Sequence, residues 1–457
     1  MKYKIKNIHF IGVGGVGMSG IAEVLSNLGY LVSGSDAGSN ANTERLSKIG
    51  VRVYIGHNKD NIGNADVVVT STAIKDDNPE LAFARESGMT IVPRAMMLAE
   101  LMRFKHGIAI AGTHGKTTTT SLCAETMAAC GLDPTFIIGG KLAVTDSNAK
   151  LGSSDYLVAE ADESDASFLY LNPTIAIVTN IDLDHMDTYD HSEDKLKQTF
   201  IDFLHKLPFY GKAILCYEDD RVRSIIPQVK RPILTYGLSE QCDIYAIDIK
   251  SNLGKMEYTL CLGAQRIPIK LNLQGVHNVL NSIAVIAVLL ELGCNIDDIA
   301  LKLKDFHGVG RRAEHYPNSK INNKDVILVD DYGHHPTELK VTLDGLKTAY
   351  PKNRMLLLFQ PHRYTRTRDL FDDFVRVLSD VHTLILLDVY SAGETPIPMS
   401  DGRSLAAAIR LRGKNNVIFV RDLEEAKSVT KNLVKKNDLV VTMGAGSISK
   451  LPQMLVE

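Results

Sequence analysis

Three times along the chain an apolar strand runs straight into a turn of special composition. The segments are Ile8-His-Phe-Ile-Gly-Val-Gly-Gly-Val-Gly17, Gly107-Ile-Ala-Ile-Ala-Gly-Thr-His-Gly-Lys-Thr117 and Val326-Ile-Leu-Val-Asp-Asp-Tyr-Gly-His-His335. Further strand-like runs follow at Asp66–Thr70, Thr174–Thr179, Arg354–Phe359, Thr383–Asp388 and Asp438–Met443. They alternate with helix-like stretches at Met18–Leu28, Thr117–Ala129, Val279–Leu292 and Ser400–Arg412. Strands alternating with helices demand parallel sheets with helical crossovers, so the expected class is α/β. At about 150 residues per domain, 457 residues suit three domains. Breaks near Arg103–His106 and Gly308–Arg312 place them at 1–105, 106–311 and 312–457. Residues 230–270 read as short alternating strands, an antiparallel excursion within the middle domain.

Composition narrows the class of partner. Lys plus Arg total 51 against 54 Asp plus Glu, a formal charge of −3. That balance argues against a sequence-independent nucleic-acid coat, which needs clustered basic charge to displace counterions. The longest clean apolar run, Ile283 to Leu290, is far short of the ~20 residues of a spanning helix. No signal-peptide core is visible, and the six cysteines never form a C-x-x-C pair. A cytoplasmic enzyme, with no nucleic-acid or membrane partner, is the expectation.

The second turn carries the strongest chemistry. In Gly112-Thr-His-Gly-Lys-Thr-Thr118, glycines let backbone N–H groups point at phosphate oxygens. Lys116 would reach the β/γ-phosphates and the Thr117 hydroxyl would sit on Mg²⁺. Ile110 stands where the strict Walker pattern has glycine, so the loop is a shortened variant. The next strand, Asp155–Ala159, delivers the acidic run Glu160-Ala-Asp-Glu-Ser-Asp165. Glu160 lies at the strand end, where α/β sheets place ligand groups, and a hard cation needs oxygen donors of this kind. Asp165 reads equally well as a solvated turn. A third strand closes on Thr179-Asn-Ile-Asp-Leu-Asp-His-Met-Asp187. Such a run either ligates a divalent metal through His185 or caps a loop, and two neighbouring ligand-type strand ends favour the metal.

The first turn, Gly12-Val-Gly-Gly-Val-Gly17, has the form of a dinucleotide loop, with Asp36 ending the next strand 24 residues after Gly12. Physically it predicts a diphosphate ligand, whether NAD or a UDP-sugar.

With these residues in view, the chain resembles the Mur ligases, ATP-dependent amide ligases of peptidoglycan precursor synthesis. The resemblance rests on Gly112–Thr118, Glu160, Asn180 to His185, Gly275-Val-His-Asn-Val-Leu-Asn281 and Arg311-Arg-Ala-Glu314. It covers essentially the whole chain. It implies a Rossmann-like N-terminal domain, a central P-loop ATPase-type domain with a mixed or parallel sheet, and a Rossmann-like C-terminal domain. Gly12–Gly17, Asp330-Asp-Tyr-Gly-His-His-Pro-Thr-Glu338 and Pro361-His-Arg-Tyr-Thr-Arg366 point, within the family, to UDP-N-acetylmuramate and L-alanine as substrates. A relative that adds a whole tripeptide to the same sugar nucleotide is the alternative. Its motif reads Asp-Asp-Phe-Ala-His-His where this chain has Tyr332 and Gly333. Relatives that add later residues use a carbamylated lysine, and no lysine after the histidine loop is assigned that role here.

The resemblance also implies residue roles. Gly14, Gly15, Gly17, Asp36 and Ser71 would hold the sugar nucleotide. Gly112, Thr113, His114, Gly115, Lys116, Thr117 and Thr118 would cradle the ATP phosphates. His277, Asn278 and Asn281 would face adenine, Asp331 the ribose and Arg312 a phosphate. Thr117, Glu160 and His185 would bind Mg²⁺. His334, Arg363 and Arg366 would orient the alanine carboxylate, with Lys116, His185, His334 and Arg363 as the catalytic set. Read without the family pattern, His334 or His335 is as well a hydrogen-bonded core histidine, and Arg363, Arg366 and Arg368 a solvated helix start. The general base stays open between His334 and solvent. An acyl phosphate must be shielded from water, so domain closure on ligand binding is expected. A monomer or weak homodimer is expected. The competing classes are an NAD-dependent oxidoreductase and a nucleotide-gated binding protein without turnover. The first leaves Gly112–Thr118, Glu160 and His185 unemployed. The second is separated by assaying phosphate release.

Overall fold

The computed structural model describes residues 1, 4–139, 147–252, 255–306, 308–412 and 416–456. It divides into two compact units, one of Met1–Ile249, Glu257–Asn272 and Asn278–His307, the other of Lys250–Met256, Leu273–His277 and Gly308–Glu457.

The first unit contains two sheets. Strands β1 (Asn7–Ile11), β2 (Leu31–Asp36), β3 (Arg52–Ile55), β4 (Val67–Thr70) and β5 (Thr90–Pro93) form a parallel sheet in the order β3-β2-β1-β4-β5. The order reverses between β1 and β4, and the glycine turn leaves β1 at that switch point, the usual ligand crevice of a doubly wound sheet. The following helix, Val16–Asn27, buries Met18, Ile21, Ala22 and Leu25, one stripe at helical spacing.

The second sheet of this unit is built from β6 (His106–Ala111), β7 (Thr135–Ile137), β8 (Ala149–Lys150), β9 (Tyr156–Glu160), β10 (Ile175–Val178), β11 (Lys212–Cys216) and β12 (Ile233–Gly237). It continues through β13 (Ile244–Asn252), β14 (Lys255–Leu262) and β15 (Gln265–Leu271). Among the described residues its order is β15-β14-β13-β12-β11-β10-β6-β9-β7-β8. β6 lies between β9 and β10, parallel to both. Its Ile108-Ala-Ile-Ala111 run is fully buried, as a strand covered on both faces requires. The antiparallel excursion expected over 230–270 begins differently, because β12 pairs parallel with β13. The two overlap only at Tyr236↔Ile244 and Gly237↔Tyr245, so the short connection 238–243 needs no full crossover.

Helix Lys116–Ala129 follows β6 despite four consecutive β-branched threonines, which are poor helix formers. Burial of Thr117–Thr120, with the Thr120 hydroxyl returned to the Lys116 carbonyl at 2.8 Å, overrides that preference.

The second unit is a six-stranded sheet with a two-stranded ribbon. The strands are β16 (Glu314–Tyr316), β17 (Lys320–Ile321), β18 (Lys324–Asp325), β19 (Ile327–Asp331), β20 (Met355–Phe359), β21 (Thr383–Leu387), β22 (Asn416–Val420) and β23 (Leu439–Met443). The sheet order is β16-β19-β23-β20-β21-β22, parallel except for β16 against β19, and β17 pairs with β18. No helix among the described residues is long and apolar enough to cross a membrane.

One buried polar group organises the N-terminal sheet. Glu80, with no exposed surface, accepts hydrogen bonds from His9 Nε2 (3.2 Å), the Ser35 hydroxyl (2.5 Å), the Asn58 N–H (3.1 Å) and Asn61 Nδ2 (2.7 Å). His57 Nδ1 lies 3.8 Å from Glu80 Oε1, the oxygen that Asn58 and Asn61 also bind. Burial pushes the carboxyl up, but these donors outweigh it and hold the group below its ordinary value. Because the folded value is depressed, the stabilisation is present above the unfolded value of about 4.3 and is lost as pH falls through the folded one. Glu80→Gln should cost about 2 kcal/mol at neutral pH. Its urea midpoint should also fall less than the wild-type midpoint between pH 6 and pH 3. An unchanged pH slope in the variant would rule Glu80 out as the responsible group.

Candidate active site

The loop between β6 and helix Lys116–Ala129 turns on two glycines in left-handed conformation, Gly112 at φ 126° and Gly115 at φ 83°. A Cβ on Gly112 would lie 2.2 Å from Thr179 Oγ1, and one on Gly115 3.1 Å from Asn281 Oδ1. The loop is therefore pressed between the strand end after β10 and the helix Val276–Glu291. No side chain caps the helix at Gly115. The loop is also stitched to the segment after β10. The His114 N–H donates to Asn180 Oδ1 (2.9 Å), and Thr179 Oγ1 and Asn180 Nδ2 both donate to the His114 carbonyl (2.7 and 2.9 Å). His114 Nε2 stands 3.1 Å from Asp182 Oδ2, and the Asp182 N–H donates to Thr113 Oγ1 at 2.8 Å.

Lys116 folds back into the loop. Its ammonium donates to the carbonyls of Gly112 (2.7 Å) and Thr113 (3.0 Å) and to Glu163 Oε2 (2.7 Å). Burial works against the charge, but Glu163, Asp162 and Glu160 outweigh it and hold the ammonium above its ordinary value. Asp162 is in turn 3.1 Å from Arg94. Burial would raise the Asp162 carboxyl, yet Lys116 and Arg94 hold it below the usual range. Three carboxylates from one strand end thus act on one ammonium. This surplus of negative oxygen donors suits a hard divalent cation such as Mg²⁺.

The other expected ligands lie close by in sequence and fold. Thr117 and Thr118 are buried in the first turn of the helix. Glu160 closes β9, and its Oε1 accepts the Gly139 N–H at 2.7 Å. His185 sits in left-handed conformation (φ 54°), 3.5 Å from Asp184 Oδ2. Asn278 and Asn281 are buried and share a hydrogen bond of 3.1 Å, with the Asn281 amide against Gly115. Burial pushes the His277 imidazole down to about 4.

In the N-terminal sheet, Gly12 (φ 82°) makes the tight turn, its N–H bound to the Ser35 carbonyl at 2.8 Å. Asp36 reaches back into the loop. Its Oδ2 accepts the Gly14 N–H at 2.8 Å and its Oδ1 the Gly38 N–H at 3.3 Å. A Cβ on Gly14 would meet Asn40 Nδ2 at 2.5 Å, and one on Gly17 would meet Arg94 Nη1 at 2.9 Å. Gly15 caps the helix from an extended conformation. Ser71 lines a cleft of about 530 Å³ with Thr70, Arg94, Asp165, Ser167 and Lys206 among its walls.

In the second unit, Asp330 and Asp331 end β19. Arg311 Nε donates to Asp330 Oδ2 (2.7 Å) and its Nη2 to the Gly444 carbonyl (2.6 Å). Asp331 accepts the N–H groups of Ala313 (2.8 Å) and Gly333 (2.7 Å). Burial pushes its carboxyl up to about 6 against the pull of Arg312, whose guanidinium lies 4.9 Å from the Tyr332 ring. The His334 N–H donates to Glu338 Oε2 (2.9 Å), and its ring stands 5.6 Å from that of His362. His362 stacks on Tyr390. Burial, with the neighbouring charges of His334, Arg366 and Arg363, pushes its imidazole down to about 3. Arg363 adopts φ 72°, and its half-exposed guanidinium lies 4.0 Å from Glu394. Arg366 is buried, so it is no solvated helix start.

Sequence reasoning missed Arg94, Glu163 and His362 as site residues. Glu163 and His362 lie inside motifs already singled out, and Arg94 follows a strand end, which is where α/β sheets place such groups.

Three family models match the chain. They are the Mur ligase family catalytic domain at residues 7–106, the Mur ligase middle domain at 110–289 and the Mur ligase glutamate ligase domain at 311–446. A UDP-N-acetylmuramate–L-alanine ligase of Chromobacterium violaceum is 56% identical over 456 residues, covering 99% of this chain and 98% of the relative. One from Neisseria meningitidis is 54% identical over 463 residues, covering 100% and 99%. Among solved structures, the UDP-N-acetylmuramate–alanine ligase of Thermotoga maritima superposes with a TM-score of 0.83 at 27% identity, over 98% of each chain. A murein peptide ligase of Psychrobacter arcticus gives 0.72 at 23% identity over 98% of each, a likeness of fold.

Gly112 is the position where the loop tolerates least. Gly112→Ala combines a backbone angle foreign to L side chains with a 2.2 Å clash. It should destabilise the protein by about 2 kcal/mol or more, read as a lower unfolding midpoint. A wild-type midpoint would mean that the loop relaxes freely.

Proposed function

The chain belongs to the Mur ligase family, and we propose that it joins L-alanine to the carboxylate of UDP-N-acetylmuramate with cleavage of ATP, in peptidoglycan precursor synthesis. The observation that carries the reading is the glycine turn at the end of β6, with the Lys116 ammonium inside it and three carboxylates beside it. Such a site has the charge and the backbone for a nucleotide triphosphate with its metal. Relatives at 54–56% identity along the whole length, all L-alanine ligases, support the choice of substrates. Tyr332 and Gly333 favour the same choice over the tripeptide-adding relative.

In this reading residues 1–105 hold the sugar nucleotide, 106–311 the ATP and 312–457 the amino acid, in a cytoplasmic monomer or weak homodimer. The carboxylate of the sugar attacks the γ-phosphorus of ATP and ADP leaves, giving an acyl phosphate. The α-amine of alanine then attacks the acyl carbon and phosphate leaves. The first step brings two anions together, so its barrier is chiefly electrostatic. Lys116 neutralises the β/γ-phosphates, and the uncapped start of helix Lys116–Ala129 adds its positive end. Mg²⁺, when bound, lowers the phosphate charge further; Thr117, Glu160 and His185 are the residues proposed to hold it. Asn278 and Asn281 offer amides to adenine, with His277 neutral beside them. Asp331 and Arg312 are assigned to the ribose and a phosphate. Gly14, Gly15, Gly17, Asp36 and Ser71 are assigned to the sugar nucleotide, and Ser71 lies in the cleft beside Arg94.

In the second step Arg363 and Arg366 bind the alanine carboxylate, a planar anion matched to a guanidinium fork. His334 orients the same group.

Phosphate release from ATP, Mg²⁺ and UDP-N-acetylmuramate should depend on added L-alanine and not on the tripeptide. Release driven by the tripeptide alone would refute the assignment. Lys116→Ala should lower kcat/KM by at least about 10²-fold. Arg363→Ala should raise KM for L-alanine about tenfold or more, leaving KM for ATP nearly unchanged. An equal effect on both KM values would remove Arg363 from the alanine site.

A further inference from the structure

An ammonium group has three N–H donors. In Lys116 all three are spent inside the protein, on the Gly112 carbonyl, the Thr113 carbonyl and Glu163 Oε2. An incoming phosphate can reach this ammonium only by replacing one of them. The two carbonyls are neutral parts of the loop that surrounds the phosphates. The Glu163 carboxylate competes with a phosphate for the same cation; burial pushes its carboxyl up to about 7, and the Lys116 ammonium pulls the other way, favouring the ionised form. The Glu163 side chain is 4% exposed, against 17% for Lys116. Its main chain is held by the buried Tyr189, whose hydroxyl donates to the Glu163 carbonyl. The Thr188 hydroxyl holds the next residue through the Ser164 carbonyl at 2.7 Å. The backbone that carries the carboxylate is thus anchored at two successive carbonyls while the ammonium sits on a long flexible side chain.

We propose that Glu163 is a positioning residue that holds Lys116 back in the nucleotide-free loop and must release it when ATP binds, so that it weakens nucleotide affinity. The proposal rests on the reading of Gly112–Thr118 as the ATP loop. Release leaves a buried carboxylate without its cation, an unfavourable state that opposes binding. The same hold keeps the ammonium within the loop, ready for a triphosphate.

The test is equilibrium binding of ADP and of a non-hydrolysable ATP analogue to the full chain, without sugar nucleotide or alanine. Glu163→Gln keeps the shape and removes the charge. It should bind both nucleotides about tenfold tighter than wild type, the scale of one hydrogen bond to a charged group. Lys116→Met should bind them more weakly. In the Lys116→Met background the Glu163→Gln change should have no effect, because no cation remains to be released. A merely structural role for Glu163 would not produce that coupling. Equal or weaker binding by Glu163→Gln overturns the proposal. So does equal tightening in both backgrounds, which would mean plain repulsion between Glu163 and phosphate. If Glu163→Gln fails to fold, Glu163→Asp serves. It keeps the charge but draws the carboxylate back by one methylene, and it should tighten binding by a smaller factor; no tightening overturns the proposal. Wild-type protein that binds neither nucleotide would refute the ATP reading itself, and the hold on Lys116 with it.

Discussion

The parallel register around β6 is the constraint on which the candidate site depends. Ile110 pairs with Glu160 on one side, and Ala111 with Val178 on the other. Backbone bonds extend both ladders by a step, Ala161 N–H to the Ile110 carbonyl at 2.9 Å and Thr179 N–H to the Ala111 carbonyl at 3.1 Å. Three chain segments therefore leave the sheet at one edge: the glycine turn, the acidic run and the histidine loop. A slip of one residue would turn every side chain of a strand to the opposite face. Glu160 would then leave the site, and the buried run Ile108–Ala111 would lose its match to the helices that cover it.

The same device appears in the second unit. Asp331 and Phe359 both pair with Met443, so β19, β20 and β23 end level. The Gly444 N–H continues one ladder to the Asp331 carbonyl, and the Gln360 N–H continues the other to the Met443 carbonyl, each at 3.1 Å. Arg311 bridges the edge, from Asp330 to the Gly444 carbonyl. The turn Gly444-Ala-Gly-Ser447 packs here. A Cβ on Gly446 would lie 2.6 Å from the Tyr390 ring, and Tyr390 carries His362.

Much of this was legible in the sequence. Helix Lys116–Ala129 begins one residue from its expected start, and β20, β21 and β23 agree with expectation to one residue at either end. Such elements are legible because buried parallel strands read as continuous apolar runs, and glycine turns mark where each run stops. The link from β12 to β13 was not legible, because alternation along a strand does not encode which way its neighbour runs. The sequence points Asp36 toward a ligand, and in the structure one oxygen of its carboxylate also accepts the Gly14 N–H of the glycine loop. Spacing alone does not reveal that bond to the loop, because it fixes the position at the end of β2 and not the direction of the side chain.

The sequence by itself determined the class of fold and the residue types at each strand end, because hydrophobic period and glycine placement act locally. It could not determine which acid in Glu160-Ala-Asp-Glu-Ser-Asp165 faces Lys116. Tertiary structure decided that, by turning the chain after β9 so that Glu163, and not Asp165, reaches the ammonium. It also set Arg94, 22 residues before Lys116, beside Asp162. Coulomb interactions at 3 Å depend on where chains converge, and convergence is a property of the packed sheets rather than of any segment within them.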